Sequence, residues 1–150
     1  MKKKTKIIIG TIVVIIIAIT VWFGCNFAPG SYPYAEQYEV NLDEKSFIEA
    51  IRVFKTNNPE YIVPEQTMLI DGRKDNADHW YHIYFYLKDE QKIIYTWVRS
   101  DGKNKSTFAF VSVNDGLTLG NWKNINHDFN NNENEKYKRQ FEERILKNFL

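Results

Sequence analysis

Residues 79–113 read HWYHIYFYLKDEQKIIYTWVRSDGKNKSTFAFVSV, and this stretch decides the fold. It holds three runs rich in aromatic and β-branched residues, 79–87, 92–99 and 106–113, the side chains that pack best on a pleated surface. Residues 88–91 separate the first two runs and residues 100–105, with Asp101-Gly102, the next two. Polar connections that short join antiparallel neighbours, so the three runs predict a meander. Alternation assigns faces to the first run. His79, Tyr81, Ile83, Phe85 and Leu87 share the side that reads as core, and Trp80, His82, Tyr84 and Tyr86 share the other. Each ring of the second set carries a polar handle, which suits a surface only partly covered.

Helices flank this sheet. Before it, residues 38–42 read as a short strand, and Asn41-Leu42-Asp43-Glu44 offers a helix N-cap. Phe47, Ile48, Ile51 and Phe54 then lay one apolar stripe, with Glu44, Lys45, Glu49, Arg52 and Lys55 facing water, until Asn57-Asn58-Pro59 stops the helix. After the sheet, residues 114–131 lack clear periodicity and read as a packed connection. Asn132-Glu133-Asn134-Glu135 supplies a second cap, and Tyr137, Phe141, Ile145 and Phe149 repeat at four, the stripe of a C-terminal helix. The expectation is an α+β domain over residues 35–150, an antiparallel sheet of three to five strands packed with two helices.

The first 25 residues have a different character. No charged residue occurs from Ile7 to Ala35, and residues 7–23 are almost continuously Ile, Val, Ala, Trp and Phe, preceded by Lys2, Lys3, Lys4 and Lys6. As a helix this run would rise about 25 Å, a little short of a full bilayer crossing. Two expectations follow for residues 1–25. One is an uncleaved membrane helix whose basic flank stays in the cytoplasm, placing the C-terminal domain outside. The other is a secretory signal. Residues 26–34, with Pro29, Gly30 and Pro33, read as a tether.

Composition narrows the function classes. Without the four N-terminal lysines, 16 basic residues face 19 acidic ones. That balance lacks the basic footprint of a nucleic-acid binder, whose affinity comes from neutralising phosphates. One cysteine excludes an intramolecular disulfide and a thiolate metal cluster. No serine lies in a Gly-x-Ser-x-Gly elbow and no glycine-rich phosphate loop exists, so no cofactor is implied.

Two sets of residues remain as candidates. Trp80, Tyr84, Tyr86, Tyr95 and Trp97 form an aromatic sheet face suited to binding, since such rings give large contact area at low entropy cost. Plain packing beneath a covering element is the competing account of the same rings. The turn-rich segment 71–79 gathers Asp75, Asp78 and His79, which with His127 would suit an acid/base or metal-dependent hydrolase. It lacks the spacing and closing glutamate of an EF-hand loop, and Asp71-Gly72 is an ordinary turn dipeptide. His79 and His82, three apart on an expected strand, face opposite ways and make no metal pair.

Two resemblances bear on location. Trp22-Phe23-Gly24-Cys25 resembles the end of a bacterial lipoprotein signal peptide, in which a small residue precedes a cysteine that becomes the lipidated N-terminus. Gly24 and Cys25 fit that pattern and imply lipid attachment at Cys25; Trp22 and Phe23 depart from its aliphatic and small residues. With the sequence from Cys25 through Glu36, the strand at 79–86 and residues 108–117, the chain resembles small bacterial envelope lipoproteins of uncharacterised function. That resemblance implies a cell-envelope location and carries no functional residue. The leading expectation is a noncatalytic envelope module that binds a protein or a cell-surface component, and the alternative is the hydrolase.

Overall fold

The computed structural model describes residues 10–21 and 32–150, in two units, Met1–Pro33 and Tyr34–Leu150. In the first, residues 10–21 are helical and their side chains exposed. Among the described residues no helix is long and apolar enough to cross a membrane. Residues 7–9 and 22–23 of the expected span lie outside the described residues, as do Cys25 and most of the expected tether.

The second unit is α+β, with a five-stranded antiparallel sheet. Its elements are β1 (Glu36–Val40), α1 (Glu44–Asn57), β2 (Tyr81–Leu87), β3 (Lys92–Ser100), β4 (Ser106–Asp115), β5 (Trp122–Asn124) and α2 (Asn131–Arg144). β2, β3 and β4 form the expected meander. β4 bonds to β3 along its length, so β1 and β5 share its other edge, β1 against residues 106–110 and β5 against 112–114.

Helix starts follow side-chain chemistry. Asp43 caps α1, its Oδ1 accepting from the Ser46 amide at 3.1 Å. The cap of α2 lies two residues before the expected one: Asn130 accepts from the Glu133 amide and Glu133 reaches back to the Asn130 amide, a reciprocal capping box. α2 also ends early, at Arg144. A 3₁₀ turn at Leu146–Asn148 follows, so Phe149 leaves the expected stripe and packs on Phe47 and Phe54 of α1. β1 sits two residues ahead of its expected position. β2 starts at Tyr81, leaving His79 exposed rather than in the core.

One face of the sheet meets both helices. Phe108, fully buried at the middle of that face, touches Phe47 of α1, Phe85 of β2, Phe141 of α2 and Phe149. A bulge then changes the parity of β4. Tyr95 pairs with Ser112 but Thr96 with Phe110, leaving Val111 as the extra residue. Phe108, Phe110 and Val113 thereby all belong to the core, while Ser112 comes opposite Tyr95.

The outer edge of β2 carries no full strand. The His82 amide and carbonyl pair with Gly72, each at 2.9 Å. At Tyr84 two side chains take over: its amide donates to Asp71 Oδ1 (3.0 Å), its carbonyl accepts from Lys55 Nζ (2.6 Å), and Lys55 and Asp71 pair at 2.5 Å.

Truncation should rank these interactions. Phe108→Ala should cost about 3–5 kcal/mol, because a buried ring leaves a cavity among four others, and Asp43→Ala about 1 kcal/mol for a lost cap. Urea unfolding of the full chain measures both, and equal losses would contradict the central placement of Phe108.

Candidate functional site

The face of the sheet turned away from Phe108 holds the expected aromatic set. Tyr84 and Tyr95 are direct cross-strand partners with rings stacked at 5.1 Å. Trp122 of β5 adds a third ring, 6.3 Å from Tyr84 and 6.1 Å from Tyr95. Sequence reasoning placed Trp122 only in a packed connection. Its position depends on Asn114, which is fully buried, donates to the Gly116 and Thr118 carbonyls and accepts from the Asn121 amide, shaping the turn that delivers β5. Trp97 is enclosed at 2% exposure and Tyr86 is buried, whereas Trp80, Tyr84, Tyr95 and Trp122 are partly exposed. Trp80 stands edge-on to Trp97 at 6.3 Å.

The acidic loop folds back on this face through His82. Asp78 Oδ2 lies 2.8 Å from His82 Nε2, and His82 Nδ1 lies 2.6 Å from the Tyr95 hydroxyl. A carboxylate only accepts, so Nε2 carries the proton; in the neutral imidazole Nδ1 then accepts from Tyr95. His82 is 3% exposed and both its nitrogens are occupied. Asp78 is also occupied, accepting from the Lys74 and Trp80 amides, each at 3.1 Å. Burial raises the Asp78 carboxyl, but those amides and His82 outweigh it and bring it to about 2.

The expected hydrolase set does not converge. Asp78 pairs with His82 rather than His79, and Asp75 accepts from the Ala77 amide within its own turn. His79 is exposed beside Trp80. His127 follows β5, stacked on Tyr34 at 4.1 Å with Nδ1 2.6 Å from Asp128. Among the described residues no group of three His, Cys, Asp or Glu side chains is placed to hold a metal ion.

Part of that set does meet the aromatic set. Asp78, His79 and Trp80 line one open cleft of about 490 Å³ with Arg73, Asn76 and Arg99. Arg73 is tied to Glu44 Oε1 at 2.6 Å and to the Asp78 carbonyl at 2.8 Å. The exposed Arg99 lies over the Trp97 ring, 5.8 Å from its centroid. The cleft thus combines an indole, an imidazole, a carboxamide and two guanidinium groups with the Glu44 and Asp78 carboxylates, a combination suited to holding a ligand by stacking and hydrogen bonds.

A carboxyl held below its unfolded value adds stability that is complete above about pH 4 and lost as pH falls toward 2. Asp78→Asn should therefore be less stable than the parent at neutral pH, with the gap closing over that window; urea midpoints across pH measure it, and a constant gap would exclude the ionised pair. Compared with known proteins, the chain matches no family model, and no curated protein and no solved structure is significantly similar to it.

Proposed function

We propose that the chain is a noncatalytic binding module held at a cell membrane, its C-terminal domain outside the cytoplasm, taking a cell-surface component in the Trp80 cleft. The observation that carries this reading is the joining of Trp80, Arg99, Arg73 and Asn76 around one open cleft. Partly exposed indole gives a platform for a sugar ring or an apolar side chain. Among the described residues no carboxylate pairs with Arg99, which supplies charge for an anionic group. The hydrolase alternative loses support because Asp78 and His82 are fully engaged with each other, Tyr95 and backbone amides.

Location rests on the sequence. The uncharged run at 7–23, preceded by four lysines, supports an anchor with its N-terminus inside, and Gly24-Cys25 supports lipid attachment as the other route to the same side. Protease added to intact cells should remove a C-terminal tag. Protection of that tag until lysis would refute the placement.

Binding is tested by crosslinking in native membranes, followed by capture through the tag. Trp80→Ala and Arg99→Gln should each weaken capture of the bound component about tenfold, the scale of a central interface residue. Retention unchanged in both variants, with the fold intact by circular dichroism, would remove the cleft as the binding site.

A further inference from the structure

A second cleft, of about 460 Å³, opens between α1, β2 and the segment at 62–71. Its walls include Ile48, Ile51, Ile62, Leu69, Ile70 and Ile83. Of the lining residues, Ile62 is 49% and Ile70 81% exposed. Solvated isoleucine at a cleft mouth is apolar surface that a ligand would cover.

Charge in the cleft is unbalanced. Lys55 and Arg52 line it against one carboxylate, Asp71. Arg52 pairs with Glu49 on the exposed side of α1, where such a pair holds the guanidinium only weakly. Lys55 is buried, its ammonium bonded to Asp71 and the Tyr84 carbonyl and lying 4.8 Å from the centre of the Phe85 ring, so two of its three donors are committed to hydrogen bonds.

The backbone excludes a peptide strand as occupant. A strand docking along β2 would need the outward amide and carbonyl groups of His82 and Tyr84, and Gly72, Asp71 and Lys55 already satisfy them. An alkyl chain needs no such groups. The volume holds roughly fifteen water-sized groups at about 30 Å³ each, the scale of one long chain.

We propose that this cleft binds a single-chain anionic amphiphile, a long-chain fatty carboxylate, with its tail against the isoleucine walls and its carboxylate at Lys55 and Arg52. The site is separate from the Trp80 cleft and stands whether or not that cleft binds a cell-surface component.

The test uses the full chain in phosphatidylcholine vesicles with a photoreactive diazirine palmitate, and mass spectrometry to map the adducts. Adducts should fall within residues 48–71 and 81–84, the two stretches that line the cleft. Ile70→Asp, a change at an exposed position, should reduce them about tenfold, and Arg52→Gln should reduce them several-fold. Palmitate should compete better than hexadecanol, which has the same chain without the charge. Adducts confined to residues 7–23, labelling indifferent to Ile70→Asp, or equal competition by hexadecanol would each overturn the proposal.

Discussion

The aromatic packing around Phe108, edge-to-face with three rings and tilted against Phe141, is the interaction on which the rest of the domain depends. Both helices reach the sheet through this ring, α1 by Phe47 and α2 by Phe141, and the C-terminal Phe149 closes the group. Aromatic pairs in such geometry favour one arrangement over its neighbours as well as burying area. The sheet therefore has one face committed to the helices, and the opposite face is left to the Tyr84–Tyr95–Trp122 rings. Those rings keep their register because the bulge at Val111 reverses the parity of β4 between Phe110 and Val113.

Rigidity on the aromatic side comes from a different source. The loop between α1 and β2 contributes little to the apolar core, and polar contacts attach it to the sheet. Gly72 bonds to His82, Asp71 to the Tyr84 amide, and Asp78 to the His82 ring. Asp78 is thus a positioning residue for Trp80, whose amide it accepts from directly. The same contacts that hold Trp80 at its cleft consume the acid/base capacity of the loop.

Much of this architecture was legible in the sequence. The three central strands follow from alternation of large apolar residues, and α1 from its stripe and the Asp43 cap. β5 was not legible, because three residues with one tryptophan carry no periodicity, and only its pairing with β4 creates it. Nor was the unbroken burial of β4 from Ser106 to Asn114, since the bulge at Val111 breaks the period of two on which alternation rests. The aromatic set was legible as a group, but the enclosure of Trp97 and the arrival of Trp122 depend on tertiary placement. The Asp78–His82 contact spans four residues, a spacing that implies contact on a helix but not at a strand entry. The turn at 74–78 creates it, and turn-forming residues in that segment were the only signal present.

The Lys55–Asp71 pair on the edge of β2 has a consequence for how copies of this chain coexist. An uncovered strand edge is a template for another chain, and natural sheets protect it with charge. Here an ammonium and a carboxylate occupy the amide and carbonyl of Tyr84, so a second sheet approaching that edge meets a desolvation cost before it gains a hydrogen bond. When two copies meet edge to edge, this pair keeps the encounter from becoming sheet-to-sheet aggregation.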